Sequence, residues 1–214
     1  MGKIGKGILG GFSGKVGTVI GACLNGIEYM RSRPRKSSRA PTQLQLDVRA
    51  KFKLAMAFLK PMLPAIRVGY QSYRGTTVTP LNAAVSDLIN FGLTGMSPNF
   101  TVDYSKVIYS KGELFEPWTP EVESAVSGEV TFNWATPPAS ILAQPDDQLT
   151  VIVYNPEKGK YVYLSDAAIR SALTLDLSLP MNFSGDTVHC YLFFVSTDGN
   201  KVSSSTYVGS ALLV

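Results

Sequence analysis

The chain has 214 residues, of which 45% are hydrophobic and 17% are charged, a composition typical of a globular protein and unlike that of a disordered one. No apolar run approaches the roughly 20 residues that a membrane-spanning helix needs. The first residues do not resemble a signal peptide, because Gly10-Gly11 interrupts the apolar pair Ile8-Leu9. We therefore expect no membrane span and synthesis in the cytoplasm.

The net charge of +4 hides an uneven distribution along the chain. Residues 1–80 contain 14 Lys and Arg but only two acids, Glu28 and Asp47, and therefore carry +12. Residues 81–214 contain 6 Lys and Arg and 14 acids, and therefore carry −8. This asymmetry predicts that the N-terminal part contacts a polyanion or an acidic surface.

The first predicted element is a β-hairpin between residues 16 and 34. Apolar and small residues lead into Asn25-Gly26, a strong hairpin-turn signal because both residues tolerate positive φ. The segment RSRPRKSSR follows, from Arg31 to Arg39. Pro34 and Pro41 prevent a continuous helix here, so the segment is interpreted as an extended arm.

Cations of this arm and of the element after it are candidate contacts to a phosphate-bearing or acidic partner. They are Arg31, Arg33, Arg35, Lys36, Arg39, Arg49 and Lys53. A solvated linker and an arm that pairs with acids of a neighbouring subunit are the alternatives.

A helix is predicted from Thr42, because Thr42 and Gln45 match the capping-box pattern. Four apolar residues then recur at helical spacing and form one stripe: Val48, Phe52, Ala55 and Leu59. The helix is predicted to end near Lys60, where Pro61 and Pro64 interrupt the pattern. Thr79-Pro80 predicts the start of a second helix that ends at Gly92.

From about residue 100 the hydrophobic period changes to two. Eight stretches have strand character: 100–109, 112–116, 128–135, 148–154, 160–164, 172–179, 186–197 and 201–209. They predict an antiparallel β-sandwich of immunoglobulin or fibronectin type III character, with Trp134 in its core and a helical turn near residues 167–172. The fold is therefore expected to be mainly β, with a basic, helix-containing region at residues 1–98 and the sandwich at residues 99–214.

The glycine-rich stretch GKGILGGFSGKVG, residues 5–17, raises the question of nucleotide binding. Its Gly5-x-Gly7-x-x-Gly10 matches the dinucleotide fingerprint, but the four residues before Gly5 are too few for the strand that this motif requires. The triphosphate pattern also fails, because Val16 occupies its hydroxyl position. These glycines are interpreted as structural, and no cofactor is expected.

No catalytic or metal site is predicted, and the chain is expected not to be an enzyme. The single histidine, His189, adjoins Cys190 on a predicted strand, so their side chains point to opposite faces and cannot act as base and nucleophile. Cys23 and Cys190 lack zinc-site spacing and are interpreted as buried free thiols, with a disulfide as the alternative. The acid groups at 121–123 and 146–147 are interpreted as solvated turns, with a weak calcium site as the alternative.

Several aromatic residues offer a stacking surface for sugars or bases. They are Tyr70, Tyr73, Trp118, Tyr154, Tyr161, Tyr163 and Tyr207. Filling of cores and interfaces is the commoner use of such residues and is the preferred interpretation.

The stretches GILGGFSGKVGTVIG, NGIEYMRSRP and TQLQLDVRAKF, with GEVTFNWA, DDQLTVIVYN and GDTVHCYLFFVS later in the chain, resemble an uncharacterised family of Bacteroidota proteins. Leu24 stands where many members of that family have tryptophan. The order of glycine hairpin, basic segment, Thr42-x-x-Gln45-x-x-x-Arg49 and helix is similar to parts of small structural proteins of phages and prophages. The family implies no known activity, and the phage-like order implies a structural role.

Three hypotheses of function follow. The first is a non-enzymatic assembly protein, such as a virion or filament component, that contacts neighbouring copies through the hairpin and arm and ends in a virion or extracellular particle. The second is a nucleic-acid-associated protein whose residues 31–39 bind phosphates without reading bases. The third is a carbohydrate- or surface-binding sandwich module. A small-molecule ligand is not expected.

Overall fold

The structure, a computed structural model, describes residues 3–4, 11–24, 26–35 and 38–213. Its first part is an antiparallel sheet with the strand order β1-β2-β3-β4, formed by β1 (Lys3–Ile4), β2 (Phe12–Val16), β3 (Val19–Leu24) and β4 (Ile27–Ser32). The predicted hairpin is confirmed as β3 and β4, although Asn25 lies outside the described residues. The predicted start of the hairpin at Val16 is wrong, because Val16 ends the preceding strand β2, opposite Val19. A turn at Gly17, with φ +57°, separates β2 from β3.

The helical part begins with α1 (Gln43–Leu59), whose predicted cap is confirmed. The backbone N–H of Gln45 donates to Thr42 Oγ1 at 3.4 Å, and the backbone N–H of Thr42 donates to Gln45 Oε1 at 3.3 Å. Helix α1 ends at Leu59, as predicted, and two further helical elements follow it directly. Pro61 and Pro64 occupy first-turn positions of a 3₁₀ turn (Lys60–Met62) and of α2 (Leu63–Gly69). Those positions have no partner for an amide hydrogen, so proline is tolerated there.

The predicted second helix is confirmed as α3 (Pro80–Asp87), with Thr79 as its cap, and it continues as a wider helical turn to Gly92. A hairpin of β5 (Leu93–Met96) and β6 (Asn99–Val102) follows. The strand predicted for 100–109 is wrong beyond Val102, since Tyr104–Lys106 form a 3₁₀ turn. The strand predicted for 112–116 is also wrong, because its only ladder contact among the described residues is a bridge between Leu114 and Ser203.

The described residues from 118 onwards form seven antiparallel strands joined by loops and short turns: β7 (Trp118–Glu123), β8 (Glu129–Ala135), β9 (Gln148–Asn155), β10 (Lys160–Ile169), β11 (Thr174–Ser178), β12 (Thr187–Val195) and β13 (Thr206–Leu212). One sheet has the order β10-β9-β12-β13 and the other β11-β8-β7. This arrangement confirms an immunoglobulin- or fibronectin III-like sandwich. The predicted helical turn is a 3₁₀ turn at Arg170–Ala172.

Strand β7 was not predicted, because Pro120 lies within it. It forms an edge of the three-stranded sheet, where a missing amide hydrogen costs no ladder bond. The last strand, β13, begins at Thr206, whereas the predicted strand begins at residue 201.

Two hydrophobic cores hold the helices and the sandwich together. The first lies between the two sheets and includes Trp134, which is 4% exposed and donates its indole N–H to the carbonyl oxygen of Arg170 at 2.7 Å. The second lies between the helices and the outer face of the β10-β9-β12-β13 sheet. Phe58 and Ile66 contribute from the helices, and Tyr191 and Phe193 contribute from β12. The helices and the sandwich therefore share a core.

Candidate docking surface

The described residues between 11 and 54 lie outside both cores. Among the described residues, the first that belongs to either core is Ala55. Ten large apolar side chains of this segment are at least 37% exposed: Val16, Val19, Leu24, Ile27, Tyr29, Met30, Leu44, Leu46, Val48 and Phe52. Exposed apolar side chains concentrated in this way are typical of contact sites. We call the described residues of this segment the N-terminal surface.

The predicted stripe of α1 divides into a covered and an uncovered half. Ala55 and Leu59 are fully buried, but Val48 is 66% exposed and Phe52 is 51% exposed. Leu44, one turn before Val48, is 77% exposed. Residues four apart share a helix face, so the face that packs on the core from Ala55 onwards continues into solvent. We call Leu44, Val48 and Phe52 the uncovered stripe.

The β5–β6 hairpin holds the start of α1 in place. Ser97 in its turn donates Oγ–H to Asp47 Oδ1 at 2.5 Å, and Gln43 Nε2 donates to the same oxygen at 2.8 Å. Lys51 Nζ lies 4.9 Å from the centre of the Phe100 ring on β6. The uncovered stripe is therefore presented by an anchored helix, and Asp47 is engaged by the hairpin.

The β3–β4 register separates charge onto the two faces of the N-terminal sheet. Lys15 lies opposite Ile20, which lies opposite Arg31, and Leu24 lies opposite Ile27. Directly opposite residues share a face, and alternate residues along a strand also share one. One face of the sheet therefore carries two cations, Lys15 and Arg31, together with the apolar side chains. Glu28, one position from Ile27, points to the other face.

The predicted cations that the structure describes are exposed. Arg33 and Arg35 line a hollow of about 900 Å³ together with Thr18, Ser32 and Pro34. Arg39 is also exposed, and Lys36 lies outside the described residues. Within the described part of the chain no ion pair is formed by the other five predicted cations: Arg31, Arg33, Arg35, Arg49 and Lys53.

Arg49 and Lys53 follow Val48 and Phe52 by one residue each, and therefore lie about 100° around the helix axis from the uncovered stripe. They are exposed. The stripe thus has cations along one side, and an acidic partner that covers it would meet them.

The glycine-rich stretch gives no phosphate loop in the described residues. Gly14 and Lys15 lie within β2, paired with β3, and no helix opens from them. Gly5 to Gly10 lie outside the described residues.

His189, Cys190 and Cys23 have three different environments. His189 is half-buried, its Nδ1 is 2.9 Å from Tyr207 Oη, and desolvation lowers its pKa. Cys190 faces the opposite side and belongs to the sandwich core, where burial raises its pKa to about 12. Both thiols are free, but Cys23 is exposed, which corrects the prediction of two buried thiols.

The interpretation of the acid groups as solvated turns holds for Asp146, which is exposed in a turn, and is wrong for the others. Glu121 and Glu123 are exposed but lie on β7. Asp147 is 1% exposed and accepts from Arg170 Nη2 at 2.9 Å. No group of three or more metal-ligating side chains occurs in the part of the chain that the structure describes.

The candidate aromatic residues do not come together on a surface. Trp118 is 42% exposed. The other six lie in the core beneath the helices or pack against it, as Tyr161 does when it donates to the carbonyl oxygen of Phe58 at 2.7 Å. Their placement supports the interpretation as core filling.

The model of a family of unknown function, DUF6266, matches residues 11–209. The chain belongs to the DUF6266 family. The match takes in both the N-terminal surface and the sandwich, and it confirms the predicted resemblance to an uncharacterised family. None of the curated proteins matches the chain. No helix in the described ranges is long and apolar enough to cross a membrane.

Solved structures resemble part of this DUF6266 chain. One is the twitchin kinase region from C. elegans, with 13% identity over 48% of this chain and 17% of that chain, and a TM-score of 0.36. Another is the fn3 domain of the human collagen alpha-1(XX) chain, with 13% identity over 47% of this chain and 86% of that chain, and a TM-score of 0.32.

Proposed function

We propose that this chain is a non-enzymatic structural subunit that assembles with neighbouring copies through its N-terminal surface. The observation that carries the proposal is the uncovered stripe, which continues a core-facing helix face into solvent. Burial of one such side chain is worth about 1.5–3 kcal/mol. A partner that covers the stripe and the adjacent sheet would therefore bury apolar side chains that are exposed in the monomer, and this burial would stabilise the complex.

The sheet supports the same conclusion. Strand β4 is an edge strand, and its residues are all exposed. A small sheet without a covered apolar face is marginally stable in water, and an open edge is a template for pairing with another chain. A virion or filament, in which each copy has neighbours, would provide such cover, in keeping with the phage-like order of segments expected from the sequence.

Light scattering tests the proposal. The full chain is expected to form species well above its 23.1 kDa monomer mass. The triple variant Arg31→Glu, Arg33→Glu, Arg35→Glu is expected to shift the mass towards the monomer, because these exposed cations lie on the contact surface. The matched control is Arg67→Glu, Lys160→Glu, Lys201→Glu, which changes the charge equally at exposed sites elsewhere and should assemble normally. A full chain that stays monomeric up to its solubility limit would contradict the proposal.

Nucleic-acid association is the second candidate, and it is favoured by Arg31, Arg33 and Arg35, which are exposed and form no ion pair within the described residues. Binding through phosphates would weaken steeply as salt is raised, with a slope set by the number of contacts. The triple glutamate variant should then lose duplex DNA binding. If the protein binds DNA only weakly and independently of salt, this candidate fails.

A further inference from the structure

The outer face of the β11-β8-β7 sheet is acidic. Glu121 lies opposite Asn133, Glu123 lies opposite Thr131, and Thr131 lies opposite Asp176. Glu129 on β8, two residues before Thr131, shares their face. The alternate positions, such as Phe132, point into the core. We call Glu121, Glu123, Glu129 and Asp176 the acidic sheet face.

No cation neutralises this face from within the sheet. Strands β7, β8 and β11 contain four acids and no Lys or Arg. Asp176 accepts from the Thr131 hydroxyl at 2.7 Å, and Glu129 accepts from the Ser178 hydroxyl at 3.3 Å. Glu121 and Glu123 are exposed and have no hydrogen-bond or ion-pair partner among the residues described. The helices cover the other sheet of the sandwich, so this face is open to a partner.

The charges of the two surfaces are complementary. Among the described residues, Arg31, Arg33 and Arg35 of the N-terminal surface form no ion pair, and neither do the four carboxylates of the acidic sheet face. A symmetric contact between two N-terminal surfaces would bring arginines together, and a symmetric contact between two acidic faces would bring carboxylates together. Only a contact between unlike surfaces of two copies pairs opposite charges.

We propose that the N-terminal surface of one copy docks on the acidic sheet face of the next copy, so that copies associate head to tail. This rests on the proposed function and names the surface that the neighbour offers. Arg31, Arg33 and Arg35 alternate along the chain, as Glu121 and Glu123 do along β7, where alternate residues are about 6.6 Å apart. Guanidinium groups bind carboxylates through paired hydrogen bonds. A head-to-tail contact repeats from copy to copy and produces a ring or a filament.

Charge reversal in the full chain tests the pairing. The variant Glu121→Lys, Glu123→Lys is expected to raise the concentration for half-association by about a hundredfold or more, because cations then face cations. The matched control, Glu113→Lys, Glu157→Lys, changes exposed acids outside the acidic sheet face and should assemble as the unmodified chain does. Far-UV circular dichroism and thermal unfolding establish that each variant is folded.

Mixing gives the decisive result. The acid-reversed variant and the variant Arg31→Glu, Arg33→Glu, Arg35→Glu should each be monomeric alone, but their equimolar mixture should assemble, because each then offers a surface opposite in charge to one on the other. If the acid-reversed variant assembles like the unmodified chain, or the mixture stays monomeric, the head-to-tail pairing is wrong although the unmodified chain assembles. If the unmodified chain is itself monomeric, or associates only on duplex DNA, the proposed function fails with it.

Discussion

Replacing Leu44, Val48 and Phe52 together with serine is expected to weaken self-association by about a hundredfold or more while changing monomer stability little. These side chains are 77%, 66% and 51% exposed, and exposed positions usually change the free energy of unfolding by no more than about 0.5 kcal/mol each. In the assembly the three side chains would be covered, and their combined burial is worth roughly 3 kcal/mol or more. Light scattering across a dilution series measures the change in association.

Leu59 on the same helix face is the matched control. It is fully buried, so Leu59→Ala is expected to lower the free energy of unfolding by about 2–5 kcal/mol. Urea unfolding at a concentration where the protein is monomeric compares the two variants. A triple-serine variant that is destabilised as much as Leu59→Ala would show that the uncovered stripe belongs to the monomer's own core, against the assembly proposal.

Asp147→Ala is expected to destabilise the sandwich by about 3–5 kcal/mol, because it leaves a buried cation without its partner. The Arg170 side chain is 3% exposed, donates Nε–H to Asp147 Oδ2 at 3.0 Å, and lies over the Phe194 ring at 3.8 Å. Desolvation lowers the pKa of Arg170, so the carboxylate is needed to stabilise its charged form. Urea denaturation measures the loss.

The double variant Asp147→Leu, Arg170→Met distinguishes the effect of the charges from the effect of side-chain packing. Because both charges are removed together, it is expected to be more stable than Asp147→Ala alone. A double variant at least as unstable as Asp147→Ala would show that packing of the two side chains, and not their charge, accounts for the effect.

The sequence predicts which residues share a face of α1, but it does not predict which part of that face is buried by another element. Val48, Phe52, Ala55 and Leu59 obey one periodic pattern, yet only the last two are buried. Periodicity reports which residues share a face. Whether another element reaches that face depends on contacts between residues distant in sequence, such as those of Phe58 with Tyr154 and Tyr161.

Charge counting predicted a basic N-terminal part and an acidic remainder, but not the faces on which the charges lie. Glu121 and Glu123 join the acidic sheet face only through the register of β7 with β8. Pro120 concealed that strand, since proline is rare in strands except at edges. Knowledge of the strand order was needed to see that β7 is an edge.

The Arg170–Asp147 ion pair was not predictable for a related reason. The two residues lie 23 positions apart, and neither carries a local signal that distinguishes a buried charge from a solvated one. Trp134, in contrast, was correctly placed in the core, because alternation on β8 puts it on the same face as Val130 and Phe132. Local periodicity predicts such a position, whereas pairing across loops requires the fold.

Hydrogen exchange measured at increasing protein concentration tests most directly whether the N-terminal surface and the acidic sheet face meet between copies. Backbone amides of β3, β4 and β7 are predicted to exchange more slowly as concentration rises, because association suppresses local opening of the segments that it covers. Amides of β9 and β12, which lie in the middle of the four-stranded sheet, should be unaffected. Exchange of β3, β4 and β7 at the same rate at every concentration would contradict this account.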